Sequence, residues 1–237
     1  MMMSVLLLGF LIGVRHAFEA DHIAAVASLS TRAQSLKDAV RMGMTWGFGH
    51  TLTLFIFGSI VLFSDLMIPE RLALILEFVV GVMLVGLGVD VVRRMLHERV
   101  HFHNHAHDGV THFHAHSHAN EGKHEDSAHQ HGHKNTISMR ALMVGLMHGM
   151  AGSAALIVLT LQSVESPMMG LLYIALFGFG SVAGMAVLAG VVMLPLRHSA
   201  KQLTGLYSGL QTTIGLGTIT LGLYVMFDIG VIEGLII

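Results

Sequence analysis

The sequence predicts an all-α, polytopic membrane protein: six transmembrane helices arranged as two inverted three-helix repeats. Three observations carry this. Apolar residues make up 53% of the 237-residue chain and charged residues only 12%, with a mean hydropathy of +0.68, whereas about a quarter of a soluble domain is charged. Apolar runs recur at the length that crosses a bilayer, about 20 residues each. Glycine-containing motifs recur in the two halves at a nearly constant offset.

The six runs fall at about 4–29, 39–63, 71–95, 139–163, 168–196 and 203–227. Polar, turn-like stretches separate them: Thr31 to Asp38, Ser64 to Glu70 around Pro69, Glu165 to Pro167, and Arg197 to Lys201. Residues 97–135 between spans three and four are histidine-rich, low in complexity and poor in apolar groups, which predicts a mobile loop. The organisation expected is a first three-helix repeat over 1–96, a histidine-rich loop over 97–137 and a second repeat over 138–237.

Basic residues set the orientation. Arg32, Lys37 and Arg41 follow span 1; Arg93, Arg94, Arg99, Lys123, Lys134 and Arg140 flank or lie in the long loop; Arg197 and Lys201 follow span 5. The alternate connections carry Asp65, Glu70 and Glu165 against Arg71 alone, and the C-terminal end has Asp228 and Glu233. Both termini are therefore expected outside a plasma membrane, with the histidine-rich loop in the cytoplasm. The N-terminus has neither a basic n-region nor a small-residue cleavage site, so no removable signal peptide is expected.

The repeat is read from three matches. Gly13-Val14-Arg15-His16 pairs with Gly145-Leu146-Met147-His148, Gly47-Phe48-Gly49-His50 with Gly178-Phe179-Gly180-Ser181, and Gly86-Leu87-Gly88 with Gly215-Leu216-Gly217. The offsets are 132, 131 and 129 residues, in the same order along both halves. Halves of three spans each must run in opposite directions, a transporter architecture whose site lies at the repeat interface near the midplane.

Composition also excludes. A net charge of −2 gives no reason to expect nucleic acid. The absence of cysteine rules out disulfides, thiolate metal sites and cysteine nucleophiles. The 17 methionines are scattered, which fits helix packing and lipid contact rather than a Cu(I) site.

Chemistry concentrates in span 1, where Arg15-His16-Ala17-Phe18-Glu19-Ala20-Asp21-His22 interrupts the apolar run. Ionisable groups are costly in hydrocarbon and mark function by default. Imidazole and carboxylate together are ligands for a divalent metal such as nickel, cobalt or zinc. His16 and His22 are six residues apart, about 9 Å of rise and about 120° of rotation on a regular helix. Such a helix does not converge both on one ion, so either it is unwound here or other helices supply ligands. Glu19 lies three residues from each histidine and shares a flank with both in turn. The plain alternative is a buried polar network, for example Arg15 with Glu19.

His50 follows Trp46-Gly47-Phe48-Gly49, whose glycines allow close helix approach. His148 stands in the second half where His16 stands in the first, within Gly145-Leu-Met-His148-Gly149-Met-Ala-Gly152-Ser153. The metal-ligand set expected is thus His16, Glu19, Asp21, His22, His50 and His148. Ser153, Glu77 and Asp90 are candidate pathway groups. No resident cofactor is expected; the metal is cargo. In the loop, His101, His103, His105, His107, His112, His114, His116, His118, His124, His129, His131 and His133 form a tract of the kind that binds divalent metals loosely.

His16-x4-Asp21-His22, preceded by Arg15 and followed by Ile23-Ala24-Ala25, resembles the signature of the nickel–cobalt permease family, and Gly49-His50-Thr51 looks like that family's next-helix motif. The resemblance implies that His16, Asp21, His22 and His50 take part in metal selection and passage. The family's acidic, threonine-rich signature in the second half is missing. His148-Gly149-Met150-Ala151-Gly152-Ser153 in its place is similar to the short six-span branch of urease-accessory-type membrane proteins.

The expectation is a secondary permease, not an enzyme, that takes up Ni2+ or Co2+, with Zn2+ as a further substrate. It would work with the bilayer around it and a cytoplasmic metal chaperone or metalloenzyme maturation system beside it. The alternatives are a nickel, cobalt or zinc exporter with the same site, and an intramembrane metal-dependent hydrolase. Against the hydrolase stand the repeat and the absence of a nucleophile elbow or an H-E-x-x-H helix.

Overall fold

Span 1 folds as two helices, because its polar centre does not continue the apolar one. In the computed structural model, α1 (Met2–His16) stops at the ionisable cluster and α2 (Ala20–Ser30) resumes after it. The amides of Phe18 and Glu19 bond back to Arg15 and His16, tightening the last turn. Glu19 is extended (φ −68°, ψ 153°), and its carbonyl accepts from Ile23 to start α2. A backbone break at membrane depth is tolerated where protein rather than lipid surrounds it. The structure describes residues 2–64, 69–97, 101–107, 110–116, 136–151, 166–202 and 204–236.

The remaining helices are α3 (Leu36–Ser64), α4 (Glu70–His97), α5 (Thr136–Ala151), α6 (Pro167–Gln202) and α7 (Thr204–Phe227), closed by a π-helical turn, Asp228–Ile232. Four of them are long and apolar enough to cross a membrane: α3, α4, α6 and α7. The fold is therefore a helical membrane protein. Large apolar side chains such as Leu7, Phe48, Phe63, Phe179, Leu194 and Leu223 stand exposed on its flanks, as a lipid-facing surface requires and a water-facing one does not.

Two expectations are modified, and a third falls outside the described residues. Span 5 does not end at 196: α6 continues through Pro195 and the basic Arg197–Lys201 stretch to Gln202. A membrane helix tolerates proline where neighbouring helices and local adjustment re-satisfy the freed backbone carbonyl; one turn further on, Ser199 Oγ bonds the carbonyls of Pro195 and Leu196 at 2.8 and 3.0 Å. In the loop, β1 (His101–His107) and β2 (Val110–His116) pair as an antiparallel hairpin where a structureless segment is expected. Alternation of histidine with Phe, Ala and Thr has a period of two, which suits a strand. Finally, the end of the fourth predicted span, with Ser153, lies outside the described residues.

Glycines set the helix contacts. α3 runs antiparallel to α6, with Gly43 against Met185 and Gly47 against Val182. α4 runs antiparallel to α7, where Gly81 meets Gly222 and Gly88 meets Gly215. α1 lies along α6 and α5 along α3, each in parallel. At the centre Met42, Trp46, Leu84 and Met185 are fully buried. The break in α1–α2 opens onto this interior, and with it come the histidines.

Candidate metal centre

Four helices deliver the cluster. α1 ends on His16, α2 begins with Asp21 and His22, His50 lies in the middle of α3, and His148 lies in the last turn of α5. Close approach of α5 to α3 requires glycine: a Cβ on Gly145 would collide with the Trp46 carbonyl, and one on Gly149 would stand 2.5 Å from the His50 carbonyl oxygen. All four imidazoles are buried, with exposures of 7% for His16, 1% for His22, 0% for His50 and 1% for His148.

Their rings crowd together. His22 is central, with ring centres 4.4 Å from His16, 4.3 Å from His148 and 5.2 Å from His50. Nε2 of His16 and Nε2 of His50 are 3.2 Å apart. Two nitrogens bound to one ion at about 2.1 Å lie about 3.0 Å apart at a right angle and about 3.4 Å apart in a tetrahedron. The observed spacing falls between these.

Two carboxylates orient the rings from behind. Glu19 accepts from Nδ1 of His16 at 3.0 Å. Asp21 Oδ1 contacts Nδ1 of His22 at 3.0 Å, and its other oxygen contacts Nε2 of His148 at 2.8 Å. A neutral imidazole that donates one N–H to a carboxylate presents the lone pair of its other nitrogen to a metal. The nitrogens left over in this arrangement, Nε2 of His22 and Nδ1 of His148, are buried without a hydrogen-bond partner, as is Nδ1 of His50. Unpaired buried polar atoms call for a partner.

The ligand atoms form two groups of three that share His22. One is His16, His22 and His50; the other is Asp21, His22 and His148; within each, the atoms lie within 4.8 Å of one another. Glu19, expected among the ligands, belongs to neither group and stands behind His16, with which it pairs. Glu77 is half-buried on α4 and joins neither group. Asp90 is remote from the cluster and is held by Arg32, with Nη2 at 2.6 Å, and by Arg94, at 3.3 Å. The loop histidines lie on or beyond the hairpin, whose register sets His101 opposite His116, His103 opposite His114 and His105 opposite His112; His118, His124, His129, His131 and His133 lie outside the described residues.

Two walls of the site were not anticipated from the sequence. The Trp46 ring lies 5.3 Å from His22 and 5.6 Å from His148, and Phe177 lies 5.3 Å from His16. Trp46 could have been found: it is the sole tryptophan and sits four residues before His50, on the same helix face. Phe177 carries no such signal.

Fold and site together define a helical integral membrane protein with a buried histidine–carboxylate cluster at its centre. No family model and no solved structure matches the chain. Among curated proteins it is 33% identical over 234 residues to the urease accessory protein UreH of Bacillus sp. (strain TB-90), a match covering 99% of this chain and 95% of that one. It is 27% identical over 188 residues to a protein of Methanocaldococcus jannaschii whose name proposes a nickel/cobalt efflux system, covering 75% of this chain and 72% of the relative. The chain belongs to the UreH family, the short branch of the nickel–cobalt permease group.

Proposed function

We propose that this protein is a secondary permease that carries Ni2+ or Co2+, with Zn2+ as a further substrate, inward across the plasma membrane, and that it is not an enzyme. The observation that carries the reading is the buried set of four imidazoles and Asp21, several of whose ring nitrogens have no partner. Neutral imidazole with carboxylate suits late first-row divalent ions, and the names of both relatives point to nickel chemistry or nickel and cobalt passage.

In this reading His16, His22 and His50 take the ion first. It then passes to Asp21, His22 and His148 without leaving His22, so only part of its ligand shell changes at a time. Three protein ligands in each position leave room for water or departure, which conduction needs. Glu19 holds the His16 ring in the tautomer that binds.

The path belongs to six spans in two inverted halves, with the basic end and the histidine hairpin in the cytoplasm. Mirrored contacts support the inversion. Gly13 packs on the Phe177 carbonyl as Gly145 packs on that of Trp46, and Gly180 packs on Phe10 and Val14 as Gly49 packs on Leu142 and Leu146. The third glycine match is looser: Gly86 and Gly217 face open space, while Gly88 and Gly215 meet. On the cytoplasmic side the ion passes to a chaperone or to the maturation system of a metalloenzyme such as urease, following the name of the first relative.

Export through the same site is the second reading, favoured by the name of the archaeal relative. Cell-associated nickel, cobalt and zinc in cells carrying the parent protein, its His22→Ala variant or an empty vector separates the two. A rise in nickel or cobalt that His22→Ala abolishes is the expected result. A fall that His22→Ala abolishes makes the protein an exporter, and no difference with the protein present in the membrane overturns both.

A further inference from the structure

A second charged cluster lies at the basic end of the bundle, at the opposite end of α2 from the metal centre. Asp90 of α4 receives Arg32, in the turn after α2, through Nη2 at 2.6 Å to both carboxylate oxygens and Nε at 3.2 Å. Arg94, one turn further along α4, reaches Asp90 at 3.3 Å and also donates to Thr31 Oγ1 at 2.8 Å. Arg140, in the first turn of α5, stands 4.0 Å from the same carboxylate. One aspartate thus ties α4 to the end of α2 and the start of α5.

Beside this cluster is a cavity of about 210 Å³, lined among others by Ser28, Arg32, Asp90, Arg140, Met143 and Val144. Its position relative to the metal centre follows from helix periodicity. Asp21, Ser28 and Arg32 are seven and eleven residues apart, so they fall on one stripe of α2 and its C-terminal turn. His148, Val144 and Arg140 step back along α5 at intervals of four. The cavity therefore lies between the same two helices that hold Asp21 against His148, about 10 Å along α2 from Asp21.

We propose that this cavity is the inner vestibule of the ion path, and that the Arg32–Asp90 pair, with Arg94 and Arg140, is the gate that closes it. The inference rests on the permease reading above. Closed, the gate sets guanidinium groups across the exit, a barrier to any divalent cation. α2 is the lever: it is only 11 residues long, carries Asp21 and His22 at its start and is fastened at its end by the gate. Release of Arg32 frees the end of the helix that presents the shared ligand, so opening the exit and loosening the site are one movement. It also uncovers the Asp90 carboxylate as the next cation-attracting group.

The chain has no cysteine, so Val144→Cys places a single reporter thiol in the vestibule. The rate of its modification by a charged, membrane-impermeant methanethiosulfonate is measured in everted and in right-side-out vesicles, with Ser181→Cys, buried on α6 outside the cavity, as control. Adding Asp90→Asn, or independently Arg32→Gln, is expected to raise the Val144→Cys rate at least tenfold from the basic side only, leaving Ser181→Cys within twofold. The exchange Arg32→Asp with Asp90→Arg is expected to bring the rate back. Unchanged Val144→Cys rates in both gate variants overturn the proposal, as do equal accelerations at both reporters, which mean general loosening. These rates need no metal, so failure of the gate is distinguishable from failure of the permease reading, which the cell-metal comparison tests.

Discussion

His22 is the one side chain common to both ligand groups, and its removal should be more damaging than that of any other histidine. Structural zinc sites with four ligands bind with about 10–16 kcal/mol, or about 3 kcal/mol per ligand, which is about 100-fold in affinity. His22→Ala takes one ligand from each position, so both weaken by about 100-fold or more. His50→Ala weakens only the first and His148→Ala only the second, leaving one intact three-ligand position in each case. The assay is equilibrium nickel binding to purified protein whose residues 97–135 are replaced by a glycine–serine linker, removing the loop histidines from the count. Thermal unfolding of each variant checks that the cavity left beside Trp46 has not unfolded the bundle. If His22→Ala binds within threefold of the parent, or no worse than His50→Ala and His148→Ala, the shared-ligand arrangement is wrong.

Asp21→Asn, which removes a ligand of the second group together with the carboxylate paired with His22 and His148, should cost at least about 10–100-fold in affinity at that group; the same titration checks it. Gly145→Ala sets a Cβ against the Trp46 carbonyl and 2.9 Å from Trp46 Cδ1, an overpacking that should cost about 1–3 kcal/mol and appear as a lowered Tm with weaker metal binding. Gly217→Ala faces open space and should change stability by no more than about 0.5 kcal/mol. Removing residues 101–116 should lower the number of nickel ions bound per chain while leaving the tightest site unchanged, as counted by equilibrium dialysis.

What was legible in the sequence was what one-dimensional pattern encodes. Hydropathy located the four long membrane helices, and four ionisable groups within seven residues marked the break in span 1, since a continuous apolar helix has no reason to hold them. Spacing alone said that His16 and His22 do not meet on a regular helix; the break at 17–19, together with α3 and α5, brings them within reach of each other. Pairing was not legible. Nothing in the order of residues says that Asp21 serves His22 with one oxygen and His148 with the other, or that Glu19 backs His16 rather than binding Arg15. Asp90 illustrates the same gap: as a lone carboxylate near a helix end it suggested little, and its meaning comes from Arg32, 58 residues away. The run of α6 past Pro195 was missed because proline and basic residues ordinarily end a helix, whereas a membrane helix tolerates an interior proline.

The central claim is that histidine nitrogens from α1, α2, α3 and α5 hold the transported ion. Nickel-edge X-ray absorption on the loop-replaced protein with one equivalent of Ni2+ tests it most directly. The account predicts a nitrogen and oxygen shell near 2.1 Å with multiple scattering from about three imidazoles, reduced when His22 is replaced by alanine. A spectrum of hydrated nickel without imidazole scattering, or one indifferent to His22→Ala, would contradict it.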